Sequence, residues 1–204
     1  LLGNGAASGI DFPDLSGSTA LFSAIASQNV DCVRILLDYG ANINFISNKG
    51  NTPLCQSVLY ENLEIVQLLV ERGASVYYSA PHRWTPVSYA AHGGQGEILD
   101  YLLWVGSPII PLQNGETPLM IASEKGNSES VQILVEKGGV DPNFIGPNRK
   151  TALYCACEFG HAEVVDYLLW VGASQIPLQD GMSPLMIASK KGHFEVVEIL
   201  VRKG

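Results

Sequence analysis

Several things are scarce in this 204-residue chain. No stretch approaches the roughly 18 consecutive apolar residues of a membrane-spanning helix, and its first residues do not read as a basic-then-apolar leader. Membrane insertion is therefore not expected. Basic residues are outnumbered, with Lys and Arg totalling 12 against 20 Asp and Glu, for a net charge of −8. Such a balance repels phosphate backbones and argues against nucleic acid as a partner. The cysteines, Cys32, Cys55, Cys155 and Cys157, form no disulfide framework. That favours a reducing, intracellular setting, the cytoplasm first, with the nucleus left open. There is no G-x-x-x-x-G-K-[ST], no H-E-x-x-H and no G-x-S-x-G, so the sequence offers no catalytic motif and implies no cofactor. Disorder is disfavoured too, because 47% of residues are hydrophobic and 16% charged.

What the chain does have is a motif, displayed best by TALYCACEFGHAEVVDYLLWVG from Thr151 to Gly172. Ala152, Leu153 and Ala156 share one helix face, and Val164, Val165, Leu168 and Leu169 share another. Gly160 stands where the first helix must stop, and Gly172 closes the second. A unit this short cannot bury its own apolar face, since chains under roughly 40 residues rarely fold unaided. It must lean on copies of itself.

The copies align on Thr19, Thr52, Thr85, Thr117, Thr151 and Ser183, at steps of 33, 33, 32, 34 and 32 residues. Around them stand GSTAL, GNTPL, RWTPV, GETPL, RKTAL and GMSPL. A hydroxyl residue followed by Pro or Ala is helix-start chemistry, because its oxygen accepts from free N–H groups and Pro fits the first turn. Each unit closes on a segment such as RILLDYGA, QLLVERGA or DYLLWVGS. This pattern resembles the ankyrin repeat, with its T-P-L-H signature and period near 33. The resemblance implies an all-α ankyrin-repeat solenoid of stacked helix-turn-helix units, joined by short hairpin or irregular loops. The expected repeats are residues 17–49, 50–83, 84–114, 115–149, 150–180 and 181–204, in one domain spanning 1–204. Residues 1–16 read as the end of a preceding repeat, and the absence of polar capping repeats suggests a piece of a longer array.

Departures from the pattern are informative. The histidine of T-P-L-H is replaced by Phe22, Cys55, Ser88, Met120, Tyr154 and Met186. The inter-helix glycine is replaced by Gln28 and Glu61, each followed by an asparagine, which suggests a turn shifted by one residue. Asp100–Gly138 and Asp166–Gly204 share 27 of 39 residues, so two repeats were duplicated together. Pro108, Pro111, Pro142, Pro147 and Pro177 remove donors from the connecting loops, so strand pairing there should be poor. ANINFISNKG and ASVYYSAPHR should likewise form irregular hairpins at best. Cys155 and Cys157 point to different faces of one helix and read as core filler, with no metal site expected. His161 and His193, each after an inter-helix glycine, read as caps of the second helix.

The resemblance also implies a non-enzymatic module that binds a protein or peptide in its concave groove, lined by finger tips and the exposed flank of each first helix. Carried onto this chain, the partner-binding candidates are Leu59, Tyr60, Trp84, His92, Glu124, Glu158, Phe159 and Met182, with His82 among the finger residues. Tyr60, Trp84, His92 and Phe159 would supply aromatic anchors along the groove; the alternative is that each packs back between neighbouring units. The acidic middle, −3 over residues 150–180 against +2 over 181–204, mildly favours a basic partner.

A second surface competes. Trp104 and Trp170 occupy the position where other copies carry Asp38, Glu71, Glu136 and Arg202, so they should face solvent. They mark a self-association patch, or else each ring covers its own shortened loop, against Pro111 or Leu112 and Pro177 or Leu178. A monomer is the starting expectation. The rival roles are a structural spacer or self-associating scaffold, and a regulatory module of a larger enzyme or channel. Finally, Asn44 and Asn143 resemble finger asparagines that an oxygen-dependent hydroxylase modifies in some ankyrin proteins; as turn residues they would simply hold the loop.

Overall fold

A computed structural model describes residues 9–77 and 84–203. The described residues hold twelve α-helices and no strand, in two compact units divided near residue 81. The first unit contains α1 (Ala20–Ala26), α2 (Val30–Asp38), α3 (Pro53–Leu59) and α4 (Leu63–Glu71), preceded by a 3-10 turn at Gly9–Asp11. The second contains α5 (Pro86–Gly93), α6 (Gly96–Trp104), α7 (Pro118–Lys125), α8 (Ser128–Glu136), α9 (Ala152–Phe159), α10 (Ala162–Trp170), α11 (Pro184–Lys191) and α12 (Phe194–Lys203). Within each unit the odd-numbered helices pack on one another in one layer and the even-numbered helices in a second.

Helices of seven to ten residues are too short to persist alone in water, so packing must hold them. Their starts are encoded locally. The hydroxyls of Thr52, Thr85, Thr117, Thr151 and Ser183 accept from the N–H three residues on, at Cys55, Ser88, Met120, Tyr154 and Met186. Thr19 makes no such bond, and its buried Oγ1 lacks a partner. Between the layers lie Leu21, Ile25, Leu54, Ile65 and Leu69 in the first unit. In the second lie Leu99, Leu102, Leu119, Leu134, Leu153 and Leu168. Each such side chain contributes about 1.5–3 kcal/mol by leaving water. Cys155 and Cys157 are free thiols in this core, where burial pushes each up to about 12.

The loops are irregular, as their prolines require. Their tips close through backbone bonds from the N–H groups of Ser47, Leu112, Gly146 and Leu178 to the carbonyls of Asn51, Glu116, Lys150 and Met182, at 2.8–3.0 Å, and each first residue's carbonyl accepts a second bond across the turn. ASVYYSAPHR extends beyond the described residues, and His82 and residues 1–8 of the leading segment lie outside them.

Two expectations about the turns need correction. Gln28 and Glu61 do not shift the turn. They adopt φ of +54° and +57° at the register where Gly94, Gly126, Gly160 and Gly192 stand with φ of +73° to +81°. The following asparagines offset the strain, since Asn29 and Asn62 accept from the N–H groups of Cys32 and Ile65. The second correction concerns His161 and His193, whose rings bond the end of the preceding repeat's first helix and not the start of their own second helix. Nε2 of His161 bonds the Glu124 carbonyl at 2.8 Å, and Nε2 of His193 bonds the Glu158 carbonyl at 3.1 Å. Asn127, one repeat earlier, donates in the same manner to the carbonyls of Ala91 and His92. The turn residues of the fourth, fifth and sixth repeats thus satisfy the exposed carbonyl end of the preceding first helix, where orphan acceptors collect.

Candidate functional site

The candidate groove residues all derive from the first helices and the loops before them. In the first unit, Leu59 ends α3 and Tyr60 follows it, 45% and 37% exposed. Gln28 donates to the Tyr60 carbonyl at 3.4 Å, so the α3 terminus is tied to the neighbouring repeat.

In the second unit the aromatics gather at one place. Trp84, half-buried before α5, lies 5.0 Å from Tyr89 and 5.6 Å edge-on from His92. Thr85 caps α5 and fixes the entry of the chain, while Tyr89 and His92, three apart, share one helix face. The sequence points to Trp84 and His92 among the groove aromatics but not to Tyr89, whose i, i+3 relation to His92 is the available signal. Burial and the Lys125 ammonium hold the His92 imidazole below its usual pKa, against the opposing pull of Glu124.

Beyond this cluster the face turns ionic. Glu124 and Glu158 occupy the positions in α7 and α9 that His92 occupies in α5, so a carboxylate separates His92 from Phe159. Glu124 pairs with Lys125 at 3.3 Å, and Glu158 pairs with Lys150 at 3.0 Å. Burial alone would lower the Lys150 ammonium, but Cys155, Glu158 and Glu124 outweigh it and hold it above its ordinary value. Phe159 is 48% exposed. Met182, half-buried, is held by a turn in which its N–H donates to Asp180 Oδ1 at 3.0 Å.

On the second-helix layer, Trp104 and Trp170 leave 81% and 73% of their surface in solvent. Each leans on a tyrosine of its own helix, Trp104 on Tyr101 at 5.9 Å and Trp170 on Tyr167 at 5.8 Å. Exposure that large leaves the rings uncovered by their loops. Tyr167 donates to Glu136 of the preceding repeat; burial and that carboxylate raise its phenol to about 12.

Asn44 and Asn143 are bridging groups. Asn44 Oδ1 accepts from the Ser75 N–H at 2.9 Å; Asn143 accepts from Ser174 at 2.7 Å and donates to the Gly172 carbonyl. Asp11, one repeat before Asn44, accepts from Asn42 in the same way. Among the described residues no three His, Cys, Asp or Glu side chains are placed to share a metal ion, and no helix is long and apolar enough to cross a membrane.

Paired antiparallel helices, a capped T-P-L-type start and first-helix carbonyls bonded by the next repeat define a helical repeat protein. The model for ankyrin repeats matches three times, over residues 1–80, 77–145 and 138–204, and the chain belongs to that family. Ankyrin repeats are generally non-enzymatic modules of protein–protein interaction. Relatives include alpha-latrocrustotoxin-Lt1a of Latrodectus tredecimguttatus, 34% identical over 108 residues. That match covers 52% of this chain and 8% of the toxin. The human transient receptor potential cation channel subfamily A member 1 is 33% identical over 122 residues, covering 59% of this chain and 11% of the channel. The chain thus spans a small part of both. Among solved structures, the ankyrin repeat protein EF0377 aligns at a TM-score of 0.81 and 30% identity, over 91% of this chain and 98% of its own. The human ASB11 ankyrin repeat domain aligns at 0.85 and 26% identity, over 92% and 84%.

Proposed function

We propose that this chain is a binding module whose first-helix face takes a protein segment. The observation that carries this reading is the composition of that face in the second unit. An aromatic cluster at Trp84, Tyr89 and His92 runs into carboxylates at Glu124 and Glu158, with Phe159 exposed beyond. Aromatic rings anchor interfaces, and the charges beside them set orientation and on-rate. Excess carboxylate favours a basic segment, with affinity that falls as salt rises.

Affinity capture from native lysate tests the reading. The intact chain should retain partners that a Tyr60→Ala, Trp84→Ala, Phe159→Ala triple variant loses. Full retention by the triple variant overturns the assignment of the face.

Trp104 and Trp170 support a second reading, self-association through the second-helix layer, because two large rings stand open to solvent in duplicated repeats. Light scattering separates the two. A concentration-dependent dimer abolished by Trp104→Ala with Trp170→Ala favours association; a monomer at all concentrations removes it.

A further inference from the structure

The Trp84 cluster has a cavity at its side. A recess of about 540 Å³ opens beside Trp84, with Leu112, Gln113 and Asn114 also in its wall. Trp84 gives it an aromatic side and Leu112, almost fully buried, an apolar one. Asn114 brings a charge to its rim. Its Nδ2 donates to Glu116 Oε2 at 2.8 Å, and its Oδ1 accepts from the Glu116 N–H at 3.1 Å. The Glu116 carboxylate is therefore held in place by the same residue that lines the recess.

Register gives the arrangement a simple origin. Trp84 and Glu116 each immediately precede the capping threonine of their repeat, and His92 and Glu124 each lie seven residues after it. Since α5 packs directly on α7, the aromatic pair of one repeat is set beside the carboxylate pair of the next. Two lysines belong to this neighbourhood, and each is engaged elsewhere: Lys125 by Glu124, and Lys150, which precedes the capping threonine of the following repeat, by Glu158. An aromatic wall beside a fixed carboxylate is a setting for a planar cation, which gains from the ring quadrupole and from the ion pair together.

We propose that this recess receives an arginine side chain of the partner segment, its guanidinium lying on the Trp84 ring and pairing with the Glu116 carboxylate. This rests on the first-helix face being the binding face and assigns the partner's chemistry at one point of it. Arginine fits better than lysine. Its plane matches the indole, and its fork of donors reaches a carboxylate while the rest of the guanidinium stays against the ring. The recess also admits the aliphatic stem, which Leu112 would cover.

The test uses the full chain and two probes, N-acetyl-Gly-Arg-Gly-amide and the same peptide with citrulline, which keeps the shape and loses the charge. Binding is followed by the NMR shift of the Trp84 indole N–H, assigned with Trp84→Phe. The arginine peptide should shift that signal saturably in the millimolar range. The citrulline peptide should bind at least about fivefold more weakly, as expected for loss of a cation–π contact and an ion pair. Glu116→Gln, a surface change, should weaken the arginine peptide about threefold and leave the citrulline peptide unchanged. Trp84→Leu keeps apolar volume and should abolish the preference for arginine, with far-UV circular dichroism confirming the fold. Equal binding of the two peptides, or shifts confined to residues away from Trp84, overturns the inference. Neither result touches the capture experiment above, so the binding face and the arginine site can fail separately.

Discussion

The imidazole of His161 lies across the mouth of the preceding inter-helix turn, directly over the α-carbon of Gly126, while its Nε2 bonds the Glu124 carbonyl at 2.8 Å. His193 stands in the same relation to Gly160, whose added Cβ would come within 2.5 Å of the ring. Gly192 has the same left-handed backbone, φ +78°, with open space around it. The three glycines separate two effects that usually coincide. Gly192→Ala should cost about 1 kcal/mol, the strain of an L-residue in the left-handed region. Gly126→Ala should cost about 2–3 kcal/mol, because it also displaces the histidine and orphans a carbonyl. Urea unfolding measures both, and adding His161→Ala should recover part of the Gly126→Ala loss. Equal costs for the two glycines would remove the histidine from the account.

Gln28 and Glu61 pose the reverse case. Both hold a left-handed backbone that glycine adopts freely. Gln28→Gly and Glu61→Gly should each stabilise the first unit by about 0.5–1 kcal/mol, read as a rise in the urea midpoint. The gain at Gln28 should be smaller, since its side chain also reaches the Tyr60 carbonyl.

The helix-opening hydroxyls should divide into working and idle ones. Thr151 accepts from the Tyr154 N–H at 3.1 Å, so Thr151→Ala should cost about 1–2 kcal/mol. Thr19 has no partner, and Thr19→Ala should be nearly neutral. Ser130 carries a similar orphan hydroxyl at a buried position where four of the five other copies have Ile65, Ile98, Val164 and Val196, and the first has the exposed Cys32. Ser130→Val should stabilise by about 1–2 kcal/mol, because it removes a buried unsatisfied group and adds apolar volume. Loss of stability there would mean that the hydroxyl is satisfied in solution.

His92 should titrate below the ordinary imidazole value of 6.5, owing first to burial and then to Lys125. An NMR titration of its ring protons measures the midpoint, and Lys125→Met should raise it. The sign for stability follows from linkage: the unfolded chain takes up the proton first, so stability falls as pH drops from above 6.5 through the folded-state pKa. A midpoint at or above 6.5 would contradict the environment described.

Thiol labelling offers a check on the core. Cys32 is exposed, whereas Cys55, Cys155 and Cys157 are buried, and burial raises all three thiols above their ordinary pKa. Under native conditions at pH 8 a thiol reagent should modify one cysteine per chain promptly, and the other three only as the protein unfolds. Prompt reaction of Cys155 or Cys157 would show that α9 is not packed as described.

How much was legible in the sequence can be seen from particular residues. Thr151 identified itself as a helix start because a cap acts across three residues, a distance the chain always holds. Leu153 and Leu168 identified themselves as core through helical spacing. Gly160 marked its turn because a left-handed backbone is an intrinsic preference. His161 did not, and its position after the glycine suggested a cap on its own helix. Its partner, Glu124, lies 37 residues away and becomes its neighbour only when two repeats stack. Trp84 and Tyr89 show the same division: one is legible as an aromatic just before a first helix and the other as an aromatic on it, but their 5.0 Å contact depends on how the chain enters α5.

By itself the sequence determined the repeat, its period, its helix starts and the positions that must be buried, all of them consequences of interactions spanning a few residues. Only the tertiary structure decided which residue closes each helix end, that Gln28 and Glu61 bear the strain of the turn, and that Trp104 and Trp170 stand clear of their loops. Those outcomes depend on packing between segments 30 or more residues apart, where register and the space left by neighbours select the contact and local propensity has no say.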